Sequence, residues 1–409
     1  MKKLLGLLFA ACVAFPASAA VIDTVEVKGD IQVIASDVNH NNAGFAYNSG
    51  TTARVLAGLS ADLVEDVTAN LMFQYAYQWG DNNDHGFASG ENVRLVNANV
   101  VLHNLFCAFE ATIGRQFYGD EDSAVMYIGP NHYNAEFNGL ANALDAAKVT
   151  YGDDFKTFTV VAGRIVDVDD EVDSTDTMDE VEATLIGADL KLNLTDALKF
   201  QVYGYNVNDL KFTTNTPATT WDVDGNVGFY GAKLGFNADV VRASVEYARN
   251  YGVHKQLFKE DKGTGQMIKA DVAGDIGAVT ARGTFLYANE DFWAFGNYTP
   301  GLLIGHRLGG DIFDYTDVDG VAMFNVGFDV KPADKWTVSL DGYSFQDHRL
   351  KHSATLESDL TVKYAHNEFV ELFTGIGYAK YTSWNGTDFN KAAYAKDNVK
   401  GQLGMLIRF

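Results

Sequence analysis

Val67-Thr68-Ala69-Asn70-Leu71-Met72-Phe73-Gln74-Tyr75-Ala76-Tyr77-Gln78-Trp79 alternates without a break. Val67, Ala69, Leu71, Phe73, Tyr75, Tyr77 and Trp79 share one face, and Thr68, Asn70, Met72, Gln74, Ala76 and Gln78 share the other. A period of two belongs to a β-strand, here with one greasy and one wet side. The pattern recurs in Leu198–Tyr205 and in Thr355–Tyr364. Across the chain it predicts eighteen strands, at about 22–35, 51–64, 67–80, 92–103, 105–116, 144–152, 156–167, 180–193, 197–208, 226–238, 240–251, 264–274, 277–288, 319–331, 335–346, 353–364, 368–380 and 397–409. Tight turns rich in Gly, Asn, Asp and Pro alternate with nine longer loops, of which 117–143 and 289–318 are the longest. An even strand count puts both ends of the sheet on one side.

So many strands carry an outward apolar stripe that no second layer is left to cover them. A closed barrel in lipid resolves this, because every backbone group is paired within the sheet while the polar face lines the interior. The expected fold is all-β, an 18-stranded antiparallel transmembrane β-barrel with short periplasmic turns and long extracellular loops. Aromatics near strand ends (Tyr75, Tyr77, Trp79, Phe200, Trp336, Tyr378, Tyr381) fit interfacial girdles.

Composition narrows the function. The 409 residues carry 54 Asp and Glu against 31 Lys and Arg, a formal charge of −23, which excludes a nucleic-acid partner. Met1-Lys2-Lys3, the apolar Leu4–Phe15 and the small residues Ala17-Ser18-Ala19 read as a signal peptide over 1–19, with a single barrel domain over 20–409. Removing Lys2 and Lys3 leaves 29 basic against 54 acidic residues, a charge of −25. Cys12 falls in that leader, and Cys107 is then alone. The last strand ends on Phe409, after Val399, Gly401, Leu403, Met405 and Ile407 on one face. A terminal aromatic on an alternating strand resembles the signal read by the bacterial barrel-assembly machinery.

Strand parity turns charges of both signs into the lumen, including Arg54, Glu110, Lys148, Lys233, Arg242, Glu246, Lys269, Arg282, Glu357, Lys363 and Lys400. On the lipid side each Arg or Lys near the midplane would cost about 2–4 kcal/mol. A bore of this strand number holds water, so a constriction has to come from a loop. Loop 117–143 is the expected one, folding inward, with a helical turn anticipated within Leu140–Ala147. Arg115 and Arg164 follow Gly114 and Gly163; alternation puts both on the lipid side unless each Gly marks a bulge that turns the Arg inward. Asp222, Asp224, Asp317 and Asp319 recur in Asp-Val-Asp-Gly repeats and are candidate structural calcium ligands, but no full calcium-loop ligand set follows, and turn chemistry plus surface charge is the better account. No cofactor and no enzymatic activity is expected: no Gly-x-Ser-x-Gly or phosphate-binding Gly loop occurs.

The run Ile113-Gly114-Arg115-Gln116, then Leu144-Asp145-Ala146-Ala147-Lys148-Val149-Thr150-Tyr151 and Gly163-Arg164, over about residues 111–165, resembles the core of alginate-export-type outer-membrane porins. That resemblance implies 18 strands and a constriction containing Arg115, Lys148 and Arg164. The expected function is passive diffusion of ions and small hydrophilic solutes through a charged, loop-constricted outer-membrane porin, with membrane lipids as partners. Monomer and homotrimer are both compatible with it. The alternatives are an alginate-like polysaccharide export channel, against which the mixed lumen and the charge of −25 weigh, and a structural or adhesive surface barrel.

Overall fold

The computed structural model describes residues 24–38, 50–79, 93–121, 123–133, 143–166, 180–213, 226–253, 264–289, 292–296, 298–303, 320–347, 350, 355–380 and 398–409. Among them every regular element is a strand. The strands in chain order are β1 (Thr24–Val38), β2 (Gly50–Val64), β3 (Val67–Trp79), β4 (Arg94–Leu105), β5 (Phe109–Gln116), β6 (Tyr118–Gly119), β7 (Tyr127–Ile128), β8 (Ala143–Gly152), β9 (Lys156–Val166), β10 (Glu180–Asn193), β11 (Leu198–Thr213), β12 (Asn226–Ala238), β13 (Val241–Val253), β14 (Gln266–Ile276), β15 (Val279–Ala288), β16 (Val321–Ala333), β17 (Trp336–Asp347), β18 (Thr355–Ala365), β19 (Val370–Lys380) and β20 (Asn398–Arg408). All but β6 and β7 belong to one 18-stranded sheet of antiparallel neighbours.

The sheet closes where β1 pairs with β20, from Asp30 opposite Arg408 to Val38 opposite Lys400. Gly29 and Phe409 extend the seam by exchanging two backbone hydrogen bonds of 2.8 and 3.0 Å. Closure removes the edge strands that hydrocarbon would not tolerate. Short turns join β2 to β3, β4 to β5 and each later pair at one end of the barrel, here called the turn end. Gly277 in the β14–β15 turn has φ +63°, a conformation an L side chain rarely adopts.

The alternation expected from the sequence is the alternation of the wall. In β3, Leu71, Phe73, Tyr77 and Trp79 are exposed on the outside while Gln74 and Ala76 are buried inside. Phe324, Val326 and Phe328 repeat this in β16, as do Leu372, Ile376 and Tyr378 in β19. An apolar surface that encircles the molecule far exceeds the patches soluble monomers tolerate, and hydrocarbon is the medium that matches it. Exposed Phe109, Phe155, Phe158, Phe236 and Trp336 lie toward the turn end, and Tyr77, Trp79, Tyr230, Tyr251 and Tyr378 toward the loop end. The two groups bracket the apolar belt as interfacial girdles do.

One local expectation is corrected. Ala143–Ala147 forms the start of β8 instead of a helical turn, and 140–142 lie outside the described residues. Leu144 and Ala146 are buried in the lumen while Asp145 and Ala147 point outward, and β5 and β9 take up the backbone hydrogen bonds on both sides.

Val326 lies mid-strand on the outer face and is 58% exposed. Val326→Arg is expected to lower unfolding free energy in lipid vesicles by about 2–4 kcal/mol, measured by urea titration. An unchanged midpoint would place this face in water.

Candidate functional site

Residues 117–121 and 123–133, which follow β5, turn into the bore. Ala124, Val125, Met126 and Ile128 are buried there, in one cluster with the wall residues Leu144, Ile165, Leu185, Tyr205, Phe229 and Met267. Fully burying a Met or Ile contributes about 1.5–3 kcal/mol, enough to hold such a segment in a water-filled barrel. β6 and β7 form its small hairpin. The Ser123 hydroxyl accepts the Val125 and Met126 amides at 3.1 and 3.0 Å, and the Tyr118 and Tyr205 hydroxyls lie 3.1 Å apart.

A second inward segment, described over 292–296 and 298–303, comes from the connection between β15 and β16. Phe292, Trp293, Ala294 and Leu303 join the same apolar cluster. The two segments meet in a bridge of Met126 with Phe295, in which the Tyr127 amide donates to the Phe295 carbonyl at 2.6 Å. Gly296 makes this approach feasible, because a Cβ there would stand 2.2 Å from the Ala124 carbonyl oxygen. The wall supplies the remaining partners. The Asn250 side chain accepts from the Trp293 amide at 2.8 Å and donates to its carbonyl at 2.6 Å. Glu357 accepts from the Leu302 and Leu303 amides, both at 2.7 Å, and Asp359 from Leu302 at 2.9 Å. The preceding Gly301 has φ +82° with the Glu357 carboxylate against it, so no side chain fits.

The end of the first segment is fastened to the opposite wall. Arg54 of β2 is fully buried; it donates to the Asn131 carbonyl at 2.6 Å and to Asp30 at 3.0 Å. His132 stands between two carboxylates, with Nδ1 2.8 Å from Glu121 and Nε2 3.3 Å from Asp30. Tyr133 has φ +63° and is held on three sides: its amide donates to Gln32, the Lys363 ammonium sits over its ring, and Arg408 donates to its hydroxyl at 3.1 Å. An uncommon backbone conformation persists where its surroundings over-determine it.

The charges named from the sequence thus differ in their surroundings. Glu110 and Lys148 line an open polar recess of about 490 Å³ toward the turn end, together with Asn97, Asn99 and Gln116. Lys363 lines a smaller recess of about 170 Å³ between the inward segments, with His132, Tyr133, Thr299 and Gln402. Lys233 and Arg242 face the lumen on β12 and β13; Arg242 pairs with Asp275 at 3.0 Å near the turn end. Arg54, Glu246, Glu357, Lys269 and Lys400 are buried. Arg54 and Glu357 hold loop backbone, Glu246 accepts from Tyr203 at 2.7 Å, and Lys269 pairs with Asp271 at 2.8 Å. Arg282 lies between Asp329 and Asp341, at 2.7 and 3.0 Å.

Arg115 and Arg164 require a correction, for both stand on the outer wall. Gly114 has φ +120°, yet the register runs from Ile113 opposite Ala147 to Arg115 opposite Asp145 without a shift, so the glycine does not turn Arg115 inward. Arg164 is paired in register with the same Asp145 and exposed. Asp222, Asp224, Asp317 and Asp319 lie outside the described residues, and among those described no group of three His, Cys, Asp or Glu is placed to hold a metal.

Sequence reasoning missed 292–303 as a second constriction, Asn250 as its anchor and His132 as a clasp. Length marked 289–318, but only contact with 117–133 distinguishes it from a surface loop.

The His132 clasp titrates. Burial alone would push the imidazole pKa down, but its hydrogen bonds to Asp30 and Glu121 outweigh that and raise it above its ordinary 6.5. Glu121 is pushed up by burial and, more strongly, down by His132, ending below its ordinary 4.5. The His132 contribution is therefore complete below about 6.5 and lost as pH rises through the raised pKa; the Glu121 contribution is complete above about 4.5 and lost as pH falls through the lowered one. Current noise in single-channel records is expected to be lowest between these limits and to grow on the alkaline side. His132→Gln should flatten the alkaline dependence, and a wild-type record insensitive to pH would contradict the clasp.

No family model matches the chain, and no curated protein matches it. Solved structures do. Acinetobacter baumannii OccAB4 superposes with a TM-score of 0.63 at 11% identity, over 95% of this chain and 98% of that one. Pseudomonas aeruginosa OpdK with vanillate gives 0.62 at 9% identity, over 95% and 100%. Pseudomonas aeruginosa OccD3 gives 0.59 at 11%, over 98% and 97%. At these identities the likeness is one of fold: the chain shares the barrel architecture of these proteins over nearly its full length.

Proposed function

We propose that the protein is a porin of the bacterial outer membrane, through which ions and small hydrophilic solutes pass by diffusion. The observation that carries this reading is the asymmetric filling of the bore. Most apolar side chains of the two inward segments pack in one cluster that lies mainly against β8–β17, with smaller contacts of Phe117 on β2 and β4 and of Tyr133 on β1, β19 and β20, whereas polar side chains line open recesses beside β1–β5 and β18–β20. Solute would enter at the loop end, pass beside Tyr133 and Lys363, and reach the recess lined by Glu110 and Lys148. Charges of both signs along that path orient an ion or a dipolar solute without binding it tightly. Export would use the leader 1–19, membrane insertion the terminal β20, and assembly either a monomer or a homotrimer.

The similar structures support the porin reading, since one of them is an outer membrane protein and another holds vanillate. The lumen gives the alginate-export alternative little support. Arg54 and Arg282 are engaged by carboxylates, and Arg115 and Arg164 face outward, so the arginine row that a polyanion conduit needs is not assembled from these residues.

Planar-bilayer recording tests the reading. Discrete conductance steps are expected, with polyuronate having no effect at sub-stoichiometric concentration. Absence of conductance would favour a structural barrel, and block by polyuronate an exporter. Vanillate is a suitable first solute, read as a reversal-potential shift.

Glu357→Ala removes the acceptor of the Leu303 amide, at a cost of about 1–3 kcal/mol for that buried donor, while the Leu302 amide keeps Asp359. It should loosen 292–303, seen as larger conductance and more frequent substates. Unaltered traces would show that this segment does not bound the path.

A further inference from the structure

The open recess of about 490 Å³ toward the turn end holds three asparagines whose side-chain amides form one ladder. Asn70 of β3 and Asn99 of β4 are cross-strand partners, and Asn97 lies two residues before Asn99. The Arg115 carbonyl sets the direction of the ladder. A carbonyl only accepts, so Asn99 Nδ2 faces it at 3.0 Å, and the same nitrogen donates to Asn97 Oδ1. Asn99 Oδ1 in turn accepts from Asn70 Nδ2 at 3.0 Å. Asn99 is thereby used up. The ladder ends in an acceptor, Asn70 Oδ1, and a donor, Asn97 Nδ2, neither of which has a partner among the described residues, and both residues line the recess. The Phe117 ring, packed against Leu56 and Val96, lines it as well. The charged groups there are mostly answered by their neighbours: Lys28 pairs with Glu26 at 2.8 Å, His103 with Glu110 at 3.2 Å, and Asp62 accepts from the Thr24 and Thr68 hydroxyls at 2.5 and 2.8 Å. Glu26, Asp62 and Glu110 balance Lys28, Lys148 and even a protonated His103, so the recess carries no excess of positive charge.

We propose that this recess is a binding subsite for a neutral polyhydroxylated solute, a mono- or disaccharide, whose hydroxyls meet the two ends of the asparagine ladder. The inference rests on the porin reading, which puts the recess on the solute path, and deepens it by naming a solute class. What selects the solute is the pairing of one open acceptor with one open donor. A carboxylate only accepts, so it can use Asn97 but not Asn70; an ammonium only donates, so it can use Asn70 but not Asn97. A hydroxyl does both, and a sugar ring carries several. The balanced charge of the recess gives neither an anion nor a cation an electrostatic advantage, and Phe117 offers apolar surface to the C–H face of a ring. A volume of about 490 Å³ falls within the roughly 300–1,000 Å³ of small-molecule sites. Because Asn99 fixes both neighbours, the ladder is ordered before a solute arrives, which lowers the entropy lost on binding.

The test uses the full barrel in a detergent that carries no sugar, with glucose, glucuronate and glucosamine as probes, a similar ring in neutral, anionic and cationic form. Binding is read by saturation-transfer difference NMR, which requires no conduction. The wild type is expected to bind glucose more tightly than either charged sugar. Asn97→Asp keeps the oxygen to which Asn99 donates and removes the open donor, so the ladder stands while its end changes. Glucose binding should then weaken by about two- to tenfold, the effect of one lost hydrogen bond. With acceptors at both ends, the same variant should prefer glucosamine to glucose, a reversal that a merely structural role for Asn97 would not produce. The wild-type series decides independently of any variant: no binding of glucose, or tighter binding of either charged sugar, overturns the subsite. An unchanged order of affinities in Asn97→Asp overturns it too. Conductance measured on the same preparation keeps the two readings apart. A conducting barrel without preference for glucose overturns only the subsite. A barrel that binds glucose through Asn97 but does not conduct supports the subsite and overturns the porin.

Discussion

Pairing of β1 with β20 is the constraint on which everything else in the molecule depends. A sheet of seventeen pairings would still expose two rows of unpaired N–H and C=O groups, each costing several kcal/mol in hydrocarbon. The eighteenth pairing, from Asp30–Arg408 to Val38–Lys400, removes both rows at once. Once closed, the sheet has an inside, and the wet side of each strand needs no other protein layer. Closure also explains how a chain at −23 can lie in a membrane, because most charged wall residues point inward and outward ones such as Arg115, Asp145, Arg164 and Arg249 lie toward the loop end.

Inside the barrel the same accounting recurs on a smaller scale. The segments 117–133 and 292–303 are mostly irregular, so their backbone groups need partners that no ladder supplies. Wall side chains provide them: Asn250 for Trp293, Glu357 and Asp359 for Leu302 and Leu303, Arg54 for Asn131, Gln32 for Tyr133. Several residues that parity identifies as channel charges are therefore receptors for loop backbone, and Glu357 is nearly excluded from solvent. The apolar cluster under the loops has the same origin. Tyr203, Tyr205 and Phe229 face inward, against the usual assignment of aromatics to lipid, because Met126, Ile128, Phe292 and Trp293 cover them.

The wall was legible and the site only in part. The registers of β3, β18 and β20 follow from alternation in their own residues, since a strand repeats every two positions whatever its neighbours are. Arg115 and Arg164 were read through two competing cues, strict alternation and a preceding glycine, and alternation prevailed because the β5–β8 ladder admits no extra residue there. Leu144 and Ala146 look like part of an apolar run that could coil. They become a strand because β5 and β9 are already in place on either side.

What the sequence determined by itself is the closed, lipid-facing wall: the number of strands, their boundaries to within a few residues, and which side chains point inward. These follow from a local period and from the energetic cost of an unpaired backbone, and neither depends on distant partners. Tertiary structure alone decided which loops enter the bore and which inward charges remain in open space. That choice rests on contacts between residues 77 to 275 positions apart, Met126 with Phe295, Arg54 and Asp30 with residues 131–132, and Arg408 with Tyr133. No periodicity within a segment encodes such a meeting, because it exists only once closure has brought the walls around the loops.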